Sequence, residues 1–156
     1  MLGSRGSVIP VFRAQRPSGR ITVTDGRMTR FWLTLDQGVR FVLDCIERTC
    51  GGEVFIPKIP SMRILDLAAA LAPECAIDFT GIRPGEKLHE MMISRDEARH
   101  TLEADDRFVI LPEHPWWGTA NWAEGKPLCD GFEYTSDNNT QWMSIDELRQ
   151  IIGEHC

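Results

Sequence analysis

Apolar residues recur at helical spacing in three parts of the chain. The first stripe follows the spacing i, i+3, i+4 and i+7 and consists of Val39, Val42, Leu43 and Ile46. Thr34 and Gln37 have the spacing of a capping box, in which each side chain bonds the other residue's backbone N–H. Gly51 or Gly52 can end the helix after them. The pattern therefore predicts a helix over residues 34–49.

Two further stripes predict two more helices. The second consists of Ile64, Leu67, Ala68 and Leu71, and the third of Ile145, Leu148, Ile151 and Ile152. We predict that Ser61 caps the second helix and that Pro73 ends it. Ser144 and Glu147 form a capping box ahead of the third, and Ser94 and Glu97 form another. Short apolar runs at 53–56 and 76–80 predict strands, so the pattern indicates a mixed α/β fold without repeats.

Composition is that of a globular protein or part of one. Of 156 residues, 42% are hydrophobic and 26% are charged, and the net charge is −6. This balance argues against a nucleic-acid or anionic-membrane partner. No leader or long apolar run is present, so we expect a cytoplasmic protein. Arginines nevertheless concentrate between Arg5 and Arg30, which would suit an anionic ligand.

Cysteine and histidine spacing predicts neither a disulfide nor a metal site. The five cysteines include no C-x-x-C pair, and the four histidines lie far apart in sequence. Cys45 falls on the apolar side of the first helix, so we expect a buried thiol.

The segment GIRPGEKLHE at 81–90 carries the most chemistry. Pro84 fixes its own φ and Gly85 can adopt a positive φ, so a tight turn can hold Arg83 and Glu86 on one side. An arginine on a rigid turn can clamp a phosphate or a carboxylate. A solvated charged turn is the alternative.

Four segments together resemble one enzyme family. They are GSRGSVIP (3–10), DGRMTRFW (25–32), FIPKIPSM (55–62) and GIRPGEKLHE (81–90). They resemble the inverting UDP-N-acetylglucosamine 4,6-dehydratases of the extended short-chain dehydrogenase/reductase superfamily, which are NADP-dependent lyases. Residues 115–142 resemble the C-terminal extension of the capsule-polysaccharide members. The resemblance covers only the C-terminal part of such an enzyme.

The resemblance implies the roles of specific residues. It places Leu2, Gly3, Ser4 and Arg5 beside NADP, and Thr24, Arg83 and Glu86 on the UDP-sugar. Arg30 either contacts the substrate or forms a supporting ion pair. Lys58 and Met62 are expected to be scaffold, and His89 and Glu90 receive no role.

The resemblance also implies what this chain lacks. The family's glycine-rich phosphate turn, its tyrosine with a lysine four residues later and its Asp-Lys pair have no counterpart, because Tyr134 is followed by Asn138 at that spacing. We therefore assign no catalytic residue and expect the chain alone to be inactive.

Three functions remain open on the sequence. The chain is a C-terminal half that needs an N-terminal Rossmann half in trans, a UDP-sugar binding module without chemistry, or a non-functional fragment. The intact family is expected to form homo-oligomers and to serve polysaccharide biosynthesis.

The resemblance divides the chain into four parts. They are a nucleotide-sugar and cofactor loop (1–33), the last helix and strand of an incomplete Rossmann half (34–60), a substrate-binding domain (61–111) and a tryptophan-rich extension (112–156). The helix at 34–49 and the strand at 53–56 would then expose an apolar face and a sheet edge. In the extension, the tryptophans either stack sugars or pack on protein, and we favour packing.

Overall fold

The computed structural model describes residues 8–114, 116–118 and 120–154. The helices are α1 (Val8–Gln15), α2 (Leu35–Arg48), α3 (Ile64–Leu71), α4 (Arg95–Ala98) and α5 (Ile145–Glu154). The strands are β1 (Arg20–Val23), β2 (Thr29–Phe31), β3 (Val54–Pro57), β4 (Ser61–Arg63), β5 (Ala76–Phe79), β6 (Met91–Ile93), β7 (Thr101–Glu103), β8 (Arg107–Ile110), β9 (Lys126–Pro127) and β10 (Tyr134–Thr135). Short 3-10 turns lie at Arg16–Ser18 and Ala120–Trp122. The expected mixed α/β class is confirmed, with both parallel and antiparallel strand pairs.

The described residues divide into two compact units that interleave along the chain. Unit 1 comprises the described residues up to 34, residues 60–90 and residues 136–154. Unit 2 comprises residues 35–59 and 91–135. The four-part division expected from the resemblance stays a prediction.

Unit 1 is built on two short strand pairs. β1 pairs in parallel with β5 from Arg20↔Ala76 to Val23↔Phe79, and β2 pairs antiparallel with β4. The helices α1, α3 and α5 supply apolar faces to one core. Its most deeply buried side chains include Phe12, Ile21, Leu67 and Leu148.

The second and third predicted helices are confirmed. In α3 all four residues of the apolar stripe, Ile64, Leu67, Ala68 and Leu71, are buried. The capping box ahead of α5 forms as expected, since Glu147 accepts the backbone N–H of Ser144 at 2.8 Å and its own N–H bonds the Ser144 hydroxyl at 3.3 Å. The box at Ser94 and Glu97 also forms and begins α4.

The prediction that Ser61 caps α3 is wrong. Ser61 lies in β4, opposite Phe31 of β2, and is fully buried. Its N–H donates to the Gln141 carbonyl at 2.8 Å, and its carbonyl accepts from Met143 at 2.9 Å. Long-range pairing thus places Ser61 in a strand, and Arg63 precedes α3 without a side-chain cap.

Unit 2 contains a four-stranded antiparallel sheet in the order β3-β8-β7-β9, and a separate pair of β6 with β10. Phe108 of β8 packs on the ring of Tyr134, with centroids 5.1 Å apart. The Tyr134 hydroxyl accepts the Ile59 N–H at 3.1 Å and donates to the Ile59 carbonyl at 3.0 Å. Burial raises the pKa of this phenol.

The helix α2 exposes its apolar stripe, as expected. Five of its side chains are 50–65% exposed, namely Leu35, Val39, Val42, Leu43 and Ile46. No residue of α2 is buried. The next strand, β3, is the end strand of the sheet among the described residues.

Polar groups attach α2 to the sheet. Arg107 of β8 is 2% exposed and forms ion pairs with Asp44 of α2 and with Asp106. Its guanidinium lies 5.0 Å from the centre of the Phe41 ring and donates to the Cys45 thiol at 3.6 Å. These acceptors raise the pKa of Arg107, and Asp106 contributes most. Cys45 is half-buried, rather than buried as expected.

The tryptophans of the extension divide between packing and exposure. Trp122 is buried, with its ring 5.5 Å from Phe55 in an edge contact. Trp117 lies against Gly51 and Gly52, where a Cβ on Gly51 would approach it to 2.2 Å. Trp116 stacks on His114 and is 72% exposed. Packing on the chain itself therefore holds for Trp117 and Trp122, whereas packing of Trp116 on a neighbouring subunit stays a prediction.

Several elements had no sequence prediction. They include α1, β1, β2, β6 and β7. None of the helices in the described part of the chain is long and apolar enough to cross a bilayer.

Candidate functional site

A tight turn presents the two most distinctive polar residues of unit 1. The Glu86 N–H donates to the Arg83 carbonyl at 3.0 Å across Pro84 and Gly85. Gly85 has φ of 82°, the value that the third residue of a type II turn requires. The Arg83 N–H also donates to the Glu86 carboxylate at 3.2 Å. The predicted turn is thus doubly closed, and its backbone fixes the carboxylate.

The parallel pair of β1 and β5 brings Thr24 to this turn. Beyond the end of the pair, the Thr80 N–H donates to the Val23 carbonyl at 3.0 Å, and the Gly81 N–H to the Thr24 carbonyl at 3.1 Å. The Thr24 hydroxyl then donates to Glu86 at 3.1 Å. Three of the residues predicted to bind substrate therefore lie together.

The Arg83 guanidinium is exposed, and no hydrogen bond or ion pair joins it to another described residue. The neighbouring Glu86 carboxylate accepts hydrogen bonds from the Thr24 hydroxyl and from the Arg83 N–H of the turn. A planar cation beside an oriented carboxylate can bind a phosphate through the arginine and a sugar hydroxyl through the acid.

Arg30 has a different position. Its guanidinium donates to the carbonyls of Thr29, Lys87 and Leu88 at 2.7–2.9 Å, and it faces the Glu90 carboxylate at 3.4 Å. It therefore holds the loop segment at residues 87–90 that follows the turn, which favours the supporting role over substrate contact. Substrate binding by Arg30 stays a prediction.

Most of the clustered arginines are paired with carboxylates. The pairs are Arg16–Glu74, Arg20–Asp78, Arg27–Asp25 and Arg30–Glu90. The Arg27 guanidinium and N–H lower the pKa of Asp25 to about 2. Pairing compensates each of these four charges and so weakens the expectation of an anionic ligand at the cluster, which stays a prediction. Leu2, Gly3, Ser4 and Arg5, predicted to bind cofactor, lie outside the described residues.

The two residues expected to be scaffold have that role. Lys58 donates to Glu103 at 2.7 Å and to the Ala104 carbonyl at 2.6 Å. Met62 is buried in the core of unit 1. Within the described ranges, no three His, Cys, Asp or Glu side chains group as metal ligands.

A cleft of about 610 Å³ in unit 2 carries charges of both signs. Three of its four cations already pair with carboxylates, namely Arg48 with Asp44, Lys58 with Glu103, and Arg107 with Asp44 and Asp106. This neutralisation makes it a poor phosphate site compared with the turn at Arg83.

Sequence reasoning missed a buried polar cluster next to the turn. Thr29 Oγ1 lies 2.8 Å from His89 Nδ1 and 2.6 Å from Ser136 Oγ. The Glu90 N–H donates to the same Ser136 hydroxyl at 2.9 Å. Because Ser136 is 107 residues from Thr29 in sequence, no local pattern could join them.

Comparisons with known proteins identify the family of this chain and several relatives. Residues 1–112 match the family model described as polysaccharide biosynthesis protein. The chain is 48% identical, over 98% of its own length, to a Campylobacter jejuni protein named UDP-N-acetylglucosamine 4,6-dehydratase (inverting). It is 42% identical, over 62% of its length, to a capsular polysaccharide biosynthesis protein of Staphylococcus aureus.

A solved structure extends the likeness to the fold. Pen from Bacillus thuringiensis superposes with a TM-score of 0.80 and 34% identity, over 99% of this chain and 46% of that one. The chain likewise spans 48% of the Campylobacter protein. It corresponds to about half of each of these two relatives.

Proposed function

Because the chain belongs to the polysaccharide biosynthesis protein family, we propose that it forms the substrate-binding portion of a UDP-N-acetylglucosamine 4,6-dehydratase. The observation that carries this proposal is the geometry of Thr24, Arg83 and Glu86. One carboxylate is oriented by two donors, and an exposed arginine lies on the same turn. This arrangement suits a nucleoside diphosphate, with Arg83 on a phosphate and Glu86 on a ribose hydroxyl.

The chain's own residues would bind and orient the substrate. In the proposed enzyme, Leu2–Arg5 would hold NADP, and the bound cofactor would supply the hydride chemistry that the loss of water from the sugar requires. The described residues do not fit a role in that hydride chemistry. The Tyr134 phenol is buried, and its hydroxyl exchanges hydrogen bonds with the backbone N–H and carbonyl of Ile59. We therefore assign no chemical step to this chain, and Leu2–Arg5 remain the proposed contacts with the cofactor.

UDP titration by calorimetry tests the proposal. Arg83→Ala should weaken UDP binding by about 1.5–3 kcal/mol, the value of a hydrogen bond to a charged group. Arg83→Lys should restore only part, because an ammonium lacks the planar fork.

Arg27→Ala provides the matched control, because Arg27 is an exposed arginine in a nearby turn that Asp25 already pairs. It should leave UDP affinity unchanged. Equal affinity of wild type and Arg83→Ala would contradict the assignment.

We also propose that an N-terminal Rossmann half covers the exposed stripe of α2 and the free edge of β3. The support is that α2 turns its apolar side outward while Arg107 holds its polar side. Each large apolar side chain removed from water contributes about 1.5–3 kcal/mol. Adding the part of the Campylobacter relative that this chain does not cover should therefore raise the melting temperature.

A matched pair of variants locates that contact. Val42→Glu on the exposed face should abolish the stabilisation by the added half, whereas Glu47→Gln, an exposed residue of the same helix, should preserve it. Unchanged stabilisation in Val42→Glu would place the partner elsewhere.

Binding of a UDP-sugar without chemistry is a second candidate. One observation favours it, because Thr24, Arg83 and Glu86 lie in a unit with its own hydrophobic core. Appearance of the 4-keto-6-deoxy product after the N-terminal half is added would support the dehydratase, and UDP binding without product would support the module.

A further inference from the structure

Two buried hydroxyl groups, those of Thr29 and Ser136, hold the loop segment at residues 89–90 that follows the Arg83–Glu86 turn. Thr29 is 4% exposed and Ser136 is fully buried, and their hydroxyl oxygens are 2.6 Å apart. Thr29 contacts His89, and Ser136 contacts the N–H of Glu90. The Ser136 N–H returns to the Glu90 carbonyl at 2.8 Å. The hydrogen bonds of Thr29 and Ser136 therefore connect residues 89–90 to two segments of unit 1 that are distant in sequence.

The number of available protons fixes the direction of donation along the hydrogen bonds that link Ser136, Thr29 and His89. Ser136 Oγ already accepts the Glu90 N–H, and its own proton has Thr29 Oγ1 as its acceptor among the described residues. The Thr29 hydroxyl oxygen then accepts from Ser136, so the Thr29 hydroxyl donates its own proton to His89 Nδ1. The opposite order would leave the Ser136 proton without an acceptor at a fully buried position, which incurs a desolvation penalty.

We infer that Thr29 and Ser136 select the tautomer of His89 that carries its proton on Nε2, and that His89 is thereby a positioning residue for the Arg83–Glu86 turn. In this tautomer Nδ1 accepts from Thr29, and Nε2–H faces the Asp137 carboxylate, 3.8 Å away. The effect on ligand binding rests on the proposed function, whereas the tautomer does not.

Nitrogen-15 NMR of the imidazoles tests the tautomer directly, at about pH 8 where ordinary imidazoles are neutral. His100 is the matched control, since its Nε2 also lies 3.8 Å from a carboxylate, that of Glu113, and no hydroxyl contacts its ring among the described residues. His89 should show one tautomer with an unprotonated Nδ1, and His100 a mixture. His89→Asn and His100→Asn assign the signals. A protonated Nδ1 in His89, or spectra alike for the two residues, would overturn the inference.

Two variants test the cause of the selection. Ser136→Ala removes the proton that Thr29 accepts, so His89 should become a mixture like His100. Thr29→Ser keeps the hydroxyl and should keep the single tautomer. A single Nε2–H tautomer in folded Ser136→Ala would show that Ser136 does not set the direction, contrary to the inference.

UDP affinity then tests positioning. His89→Ala should weaken binding about fivefold, as expected for one neutral hydrogen bond. His89→Asn should recover most of the loss, because its amide oxygen can accept from Thr29 in place of Nδ1, and His100→Ala should have no effect.

Equal losses in His89→Ala and His89→Asn would contradict positioning through Nδ1. A wild-type protein that does not bind UDP would contradict the proposed function instead. The tautomer spectra would still decide the direction of hydrogen-bond donation from Ser136 through Thr29 to His89.

Discussion

Two helices of this protein have nearly the same apolar periodicity and opposite environments. The four stripe residues of α3 are all buried in the core of unit 1. The stripe of α2 in unit 2 is 50–65% exposed. Periodicity therefore predicts a helix and its apolar side, but what covers that side depends on the rest of the molecule.

The two helices are also held by different forces. Burial of apolar surface holds α3, whereas α2 depends on the buried guanidinium of Arg107 and its carboxylate partners. Hydrophobic contacts resist salt, and ion pairs are screened by it in proportion to their exposure. In unit 2 the polar attachment therefore holds α2 to the sheet and leaves its apolar surface exposed.

The largest expected effect separates the two stripes. Leu67→Ala in α3 should lower the free energy of unfolding by about 2–5 kcal/mol, because it leaves a cavity at a fully buried position. Leu43→Ala in α2 should change it by less than about 0.5 kcal/mol. Denaturant unfolding measures both, and equal losses would remove the contrast between the helices.

Removing the polar attachment should have the next largest effect. Arg107→Met should cost about 2–3 kcal/mol, below the usual range for a buried pair because Asp44 and Asp106 are partly exposed. Arg48→Met, which breaks an exposed pair with Asp44, should cost about 0–1 kcal/mol. High salt should remove the cost of Arg48→Met before it reduces that of Arg107→Met, because the Arg48 pair is the more exposed. An Arg107→Met variant as stable as wild type would show that α2 is held by other contacts.

A smaller effect concerns the loop after α2, where Glu53 accepts from the N–H groups of Cys50 and Gly51, from Thr49 and from the Trp122 indole. Burial raises the pKa of Glu53, but these donors outweigh it and lower the pKa from 4.5 to about 2. The unfolded chain binds the proton more readily, so this stability is complete above pH 4.5 and is lost as pH falls towards 2.

Glu53→Gln should cost about 1 kcal/mol at neutral pH and flatten the stability profile in that window. Glu47→Gln, at an exposed position of α2, should retain the wild-type profile. The measurement is denaturant unfolding at a series of acidic pH values, and a steep profile in Glu53→Gln would assign the acid sensitivity to other groups.

A charged substitution on the exposed stripe of α2 should have the smallest effect on stability and a measurable effect on association. Leu43→Lys places a charge on the exposed stripe, so the free energy of unfolding should change by less than about 0.5 kcal/mol. Self-association and binding of an apolar dye should both decrease, because the patch is interrupted. Sedimentation measures the association and fluorescence measures the dye binding. Values equal to those of the wild type would mean that the exposed stripe of α2 drives neither.

Sequence motifs correctly predicted the features that join residues close together in sequence. The boxes at Ser94 and Ser144 form as their spacing predicts, because each joins residues three apart. The turn at Pro84 and Gly85 forms for the same reason.

Distant partners explain what the sequence could not predict. Ser61 has the spacing of a cap, yet its backbone bonds Gln141 and Met143 and places it in a strand. The grouping of Thr24 with Glu86 needed the resemblance, since 62 residues separate them. His89 gained a role only when folding brought Thr29 and Ser136 beside it.

The hydrogen bonds of Tyr134 have a practical consequence. It is the single tyrosine of the chain, and its phenol cannot ionise while it donates to the Ile59 carbonyl. Its pKa is raised by burial, so the folded protein should keep the phenol neutral into the alkaline range and release its proton when unit 2 opens. The ultraviolet absorbance of the phenolate is therefore an intrinsic, label-free chromophore for alkaline opening of unit 2 alone, in a molecule whose tryptophans report on both units.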